Sequence, residues 1–173
     1  ALFIMSVFIP YISPYNQDIT GAVHFEDAGQ SPSFSHWFGT DAVGRDVFTI
    51  TIRAAFFSLK IAFGVVVFSA LLGVPIGMFA GLSGKRTEEI IMRVTDGFLA
   101  FPPLILPLIT TTILGPSLNN VILGITASWF PWYVRIARSQ SLVISSLDYV
   151  SISKSMGAGK LHIIKKHILP NSI

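Results

Sequence analysis

The chain has 173 residues, 51% of them hydrophobic and only 12% charged, with a formal net charge of +3. A soluble domain carries about 25% charged residues, so the mean hydropathy of +0.66 and the long uncharged runs exclude an ordinary water-soluble domain and indicate a membrane protein. Cysteine is absent, which excludes disulfides and thiolate metal sites, and no nucleic-acid partner is expected.

Residues 1–10, ALFIMSVFIP, read as the outer end of a membrane span already in progress. They lack the basic start and small-residue cleavage site of a signal peptide, and the chain is expected to be truncated at both ends. Residues 11–53 follow as an extracytoplasmic segment leading into a second span. Within it HWFGTDAVGRDV (36–47) is the densest polar cluster outside the tail. Gly39 and Gly44 permit backbone angles other residues avoid, and Thr40 or Asp41 can cap a following helix. Asp41, Arg45 and Asp46 are expected to form a charge-assisted network. A catalytic Asp/His pair lacks a second acid–base group of fixed geometry, so a structural or gating role is expected. His24 and His36 show no metal-ligand spacing.

Residues 61–82 are uncharged over 22 positions, enough to cross a hydrocarbon core of about 30 Å. Gly73 and Gly77 have the spacing that lets a neighbouring membrane helix approach closely. The next uncharged run, 97–134, has 38 residues, too many for one ordinary span. LGPSLNN at 114–120 is a turn signal, which predicts two spans at about 98–114 and 119–137. Pro102, Pro103 and Pro107 are tolerable in a membrane helix whose neighbours satisfy the freed carbonyls. Trp129, Trp132 and Tyr133 fit an interfacial belt better than a pore lining. Asp96 is expected to pair with Arg93 or a neighbour.

Nine basic residues (Lys85, Arg86, Arg93, Arg135, Arg138, Lys154, Lys160, Lys165, Lys166) fall in the 83–96 connection or after residue 134, against three (Arg45, Arg53, Lys60) elsewhere. By the positive-inside rule the 83–96 loop and 139–173 face the cytoplasm, while 11–53 and 115–120 face outward. Residues 54–138 thus hold three transmembrane spans.

The tail sets Ile152, Met156, Ile163, Ile164, Ile168 and Leu169 among Lys154, Lys160, Lys165 and Lys166. Gly157 and Gly159 are expected to divide it into two short helices, the second ending at Pro170. Such a segment can lie on an anionic membrane surface or fit a partner's groove. Gly157-Ala158-Gly159-Lys160 fails the phosphate-loop pattern at both ends, with Lys154 in place of the first Gly and Leu161 after the Lys. His162 and His167, five apart, miss the spacing that sets two ligands on one helical face, and no metal site or catalytic residue is expected.

DYVSISKSMGAGKLHIIKKHILPN (148–171) resembles the cytoplasmic coupling segment of ABC-importer permeases, matching at Gly157, Ile168, Leu169, Pro170 and Asn171. HWFGTDAVGRDV is similar to the sequence before the second span in the dipeptide, oligopeptide and nickel permeases. MRVTDGFLAFPPLIL and LGPSLNNVILGI match that family's middle spans, so the resemblance runs from His36 to Asn171. It implies an all-α, polytopic helical membrane protein, a single incomplete permease domain in the cell membrane that translocates substrate delivered by a binding protein. Di- or oligopeptides are the expected substrate, with nickel or another small solute as the alternative. From a different class, a non-transport scaffold with a lipid-binding basic tail is the rival, and a membrane enzyme comes third. The implied partners are a second permease subunit, ABC ATPase subunits, an extracytoplasmic binding protein and membrane lipid, with ATP held by the ATPases and no cofactor on this chain. Ser151, Ile152, Ser153, Gly157, Ala158, Ile168, Leu169 and Pro170 form the implied ATPase-coupling segment. Gly39, Thr40, Asp41, Gly44, Arg45 and Asp46 form the implied extracytoplasmic motif. One departure stands out: Ser151-Ile152-Ser153 occupies the place of the family's Glu-Ala-Ala, which removes an acid expected to help engage the ATPase.

Overall fold

The structure, a computed structural model, describes residues 14–172; the expected span end at 1–10 lies outside the described residues. Among the described residues there is no strand, only an isolated bridge between Thr40 and Asp46. Two compact units divide between Ala62 and Phe63, within the first long helix.

In the first unit, 3-10 turns at Asn16–Thr20 and Phe25–Asp27 lead through irregular backbone to α1 (Val47–Gly81). Gly39 and Gly44 have φ of +72° and +82°. Both also sit where the chain crosses itself: a Cβ on Gly44 would strike the His24 carbonyl, and one on Gly39 the Gln30 carbonyl. The crossing is held by the His24 N–H donating to Val43 O (2.9 Å) and the Thr40 N–H to Gln30 O (3.1 Å). The 35 residues of α1 exceed the roughly 20 that a membrane-spanning helix needs. Among the described residues α1 is the one helix long and apolar enough to cross a membrane.

The second unit begins inside α1 and contains α2 (Lys85–Leu99), α3 (Ile105–Leu114), α4 (Leu118–Ser145) and α5 (Asp148–Ser155). A last helical stretch runs from α6 (Lys160–Ile163) through a π turn at Ile164–Ile168 into Leu169–Asn171. Gly73, Gly77 and Gly81 lie four apart on one face of α1. A Cβ on any of them would collide with α4, at Phe130 and Tyr133, at Val134 and Ala137, and at Ser141 respectively. The Ser141 hydroxyl donates to Met78 O at 3.1 Å across the same contact. Small residues therefore set the α1–α4 approach, as the Gly73/Gly77 spacing predicted.

Two expectations about helix extents are corrected. The 83–96 connection is not a loop but most of α2, whose Glu88 pairs with Arg138 and whose Asp96 pairs with Arg135 (2.6 Å), both on α4. Arg93, one of the partners expected for Asp96, is taken by Glu89 at 2.7 Å. The 98–114 stretch is not one helix, because α2 ends at Leu99 and α3 begins only at Ile105. Pro102 and Pro103 fall in the gap, where fixed φ and missing donors stop helix propagation. With 10 residues, α3 is about 15 Å long, short of a membrane core. Pro107 inside α3 cannot donate to the Pro103 carbonyl, and the Ser128 hydroxyl of α4 donates to it instead at 2.9 Å. Gly124 makes that contact possible, since a Cβ there would meet Pro107 and Thr110. The turn expected at 114–120 joins α3 to α4, with Gly115 at φ +90° and Ser117 capping α4 through the Asn120 N–H.

Candidate functional site

The tail folds back onto the ends of two long helices. Val150, Ile163 and Ile168 are buried in one core with Met78 of α1 and Ala137 and Ile144 of α4. Two cations reach the same helix ends. Lys154 Nζ donates to Ser145 O at 3.4 Å, and Lys160 Nζ reaches Ser83 Oγ at 3.5 Å while lying over the Phe79 ring. Residues 148–171 are thus clamped to α1 and α4 by an apolar seam with a cation at each side.

Between α5 and α6, Gly157 takes φ +89° and a Cβ on it would meet nothing within 4 Å. The glycine is there for its backbone angle, which lets the chain reverse, rather than for close packing. Beside it an open groove of about 420 Å³ is lined by Ser153, Met156, Gly157, Ala158, Gly159 and His162. Of the predicted coupling residues, Ser153, Gly157 and Ala158 line this groove. Ile168 is buried in the seam, while Ser151, Ile152, Leu169 and Pro170 are exposed.

Pro170 does not end the second helix, which continues to Asn171. Upstream of it the helix widens into a π turn, in which the Leu169 N–H donates to Ile164 O, five residues back. Pro170 has no N–H for the Lys166 carbonyl and its ring would crowd that carbonyl in an α-helix; the wider turn removes the clash. The same widening brings His162 and His167 together, their ring centroids 6.0 Å apart. A five-residue spacing that misses one face of an α-helix meets on one face of a π turn. His167 also packs on Tyr149 and contacts Ser153 Oγ at 3.2 Å, locking α5 to the last helix.

In the first unit the polar cluster is organised differently from the expected network. Neither Thr40 nor Asp41 caps α1. Asp46 does, with Oδ2 accepting the Thr49 N–H at 2.8 Å. Asp41 instead closes its own turn, accepting the Val43 and Arg45 N–H groups at 3.0 and 2.9 Å and pairing with the Arg45 guanidinium at 2.8 Å. The backbone bond from Arg45, aided by its side chain and Val43 against the cost of desolvation, holds the Asp41 carboxyl below the usual carboxylate range. Thr40 Oγ1 accepts from the Gln30 N–H and donates to Asp27 O. Asp46 leaves Arg45 and pairs with His36 Nδ1 at 3.1 Å, and its N–H donates to Asp18 Oδ2 at 2.7 Å. Asp18 in turn holds His24 Nε2 at 3.1 Å. Both carboxylates are nearly inaccessible, Asp18 3% and Asp46 2% exposed. The chain His24–Asp18–Asp46–His36 was invisible in sequence because its members, up to 28 residues apart, meet only where the chain crosses itself.

The groups of the first unit hold and orient backbone, and in the second unit residues 148–171 are fixed across the ends of α1 and α4. Residues 73–173 match the family model described as "Binding-protein-dependent transport system inner membrane component", and the chain belongs to that family. It is 37% identical over 172 residues to a probable D,D-dipeptide transport system permease protein of Escherichia coli, covering 99% of this chain and 57% of the relative. Identity is 36% to a dipeptide transport system permease protein of Bacillus subtilis (99% and 53% covered) and 34% to an oligopeptide permease protein of the same organism (99% and 55%). The chain spans about half the length of the curated relatives it matches.

Proposed function

We propose that this chain forms membrane-spanning and coupling parts of the permease subunit of an ATP-driven importer of di- or oligopeptides. The observation that carries this reading is the 148–171 segment. In a chain of this family, a helix–Gly–helix clamped to the ends of α1 and α4 by Val150, Ile163 and Ile168 is built to pass a push from a partner into the spans. A motor that closes on ATP moves the spans only if segment and helices shift as one body, and a close-packed seam supplies that stiffness. The relatives just described are named for dipeptide and oligopeptide transport, which favours peptides over nickel; membership of a transport family disfavours the lipid-bound scaffold. In this reading the basic residues orient 83–96 and 139–173 toward the cytoplasm and 11–53 outward. Residues 54–138 then cross or enter the membrane, pairing with a second permease subunit. A binding protein delivers substrate on the outer side and ATPase subunits bind on the inner side. The permease translocates, and ATP is hydrolysed by the ATPases.

Gly157→Leu tests the coupling. A Leu at φ +89° carries a backbone penalty of about 1–2 kcal/mol at an exposed turn, so the full-length protein should still insert while the α5–α6 reversal is distorted. Uptake of labelled dipeptide by cells bearing that variant is expected to fall sharply at unchanged permease abundance. Normal uptake would refute a coupling role for this turn.

A further inference from the structure

Of the three cations ahead of the uncharged run 61–82, Arg45 is neutralised by Asp41, and the other two belong to α1. That helix carries Arg53 and Lys60 and no acid at all. They stand seven apart with Phe56 and Phe57 between them, a spacing that puts all four side chains on one stripe of a helix. The Arg53 guanidinium lies 5.3 Å from the centre of the Phe57 ring and 5.7 Å from that of Phe56, within the range of a cation–π contact. Its Nε is buried and has no hydrogen-bond partner. Arg45, Arg93, Arg135 and Arg138 each pair with a carboxylate, and Arg86 is open to solvent. Arg53 is thus the one arginine of the described residues that is both partly buried and without an ion pair. Two rings strip water from part of the guanidinium and return only part of what hydration supplied, so the charge lacks a counter-ion.

The surroundings of the stripe specify which anion matches it. Lys60 is the last charge before residues 61–82, so in a membrane-spanning α1 the stripe stands where hydrocarbon gives way to headgroups. Phe57 and Leu59 are 42% and 37% exposed beside it, and such side chains fit acyl chains better than water. A free carboxylate or phosphate complements the cations alone. An anionic amphiphile complements both parts, its head against Arg53 and Lys60 and its tail against Phe57 and Leu59. The long stems of Arg and Lys can lie on apolar surface while their heads reach the headgroup layer, and paired cations at that level attract anionic lipid. We propose that Arg53 and Lys60, with Phe56 and Phe57 beside the guanidinium, form a site for the headgroup phosphate of an anionic phospholipid. The site requires that α1 crosses the membrane and does not depend on which solute is carried.

The test uses full-length permease in mild detergent, titrated with phosphatidylglycerol or phosphatidylcholine, with bound lipid counted by native mass spectrometry. The wild type is expected to retain phosphatidylglycerol in preference to phosphatidylcholine. Arg53→Gln combined with Lys60→Gln is expected to lower phosphatidylglycerol retention about tenfold, whereas Arg53→Lys, which keeps the charge, should hold it. If the double variant fails to insert, the two single Gln variants carry the test, each with a smaller drop. Equal retention of the two lipids by the wild type, or of phosphatidylglycerol by the wild type and the Gln variants, would overturn the proposal. So would loss of labelled dipeptide binding in the Gln variants with lipid retention unchanged, which would turn these cations toward substrate. Uptake plays no part in the readout, so the importer reading and this site stand or fall separately.

Discussion

Asp41 shows how a single side chain closes a turn in the first unit. Its carboxylate gathers two backbone N–H groups and the Arg45 guanidinium, and those donors favour the ionised form. The folded pKa therefore lies below the unfolded value of about 3.9. A group shifted down stabilises the fold above its unfolded pKa, and that stabilisation is lost as pH falls through the folded value. Tryptic cleavage after Arg45 at pH 7 is expected to be faster in Asp41→Asn than in wild type. Peptic cleavage of 24–47 should rise on acidification more steeply in wild type than in the variant, which has already lost the interaction. Equal cleavage at pH 7 would mean that the turn does not depend on the carboxylate. Gly44 constrains the same crossing more severely. Both its φ of +82° and the His24 carbonyl in the path of a Cβ oppose substitution, so Gly44→Ala is expected to cost about 1–3 kcal/mol and to expose 24–47 to protease at neutral pH.

At the scale of elements, the α1–α4 contact depends on small residues every fourth position. Gly77→Leu would drive a side chain into Val134 and Ala137, an overpacking worth about 1–3 kcal/mol. The full-length protein in detergent is expected to melt earlier, whereas Gly97→Leu, where a Cβ meets nothing, should leave the transition unchanged. Pro170→Ala addresses the last helix: restoring a donor for the Lys166 carbonyl removes the reason for the π turn. Disulfide formation between His162→Cys and His167→Cys is then expected to drop relative to the same pair with Pro170 present. An unchanged yield would mean the π turn has another cause. These two contacts also mark how far the sequence was readable. Gly73 and Gly77 announced close packing because their spacing is local, and LGPSLNN announced its turn for the same reason. The break at 100–104 was hidden because prolines in an apolar run are compatible with a membrane helix, and only the absence of a helix there decides otherwise. The Asp96–Arg135 pair spans 39 residues and the His162–His167 approach depends on a π turn, so neither follows from helical periodicity.

For the whole molecule, the family is legible both in separated motifs and in the match over residues 73–173. In the function proposed above, the activity belongs to an assembly to which this chain contributes part of one subunit. Its contribution is a set of helices held by glycine contacts and a basic segment seamed to their ends. In that proposed role the full-length subunit, together with a second permease, ATPases and a binding protein, carries peptides inward at the expense of ATP. The most direct measurement is uptake of a labelled dipeptide into proteoliposomes reconstituted with that complete set, with and without ATP, beside the same assay with nickel ion. That role predicts ATP-dependent accumulation of dipeptide that disappears when the permease subunit is omitted, and no comparable accumulation of nickel. Nickel uptake without dipeptide uptake, or dipeptide entry indifferent to ATP, would contradict it.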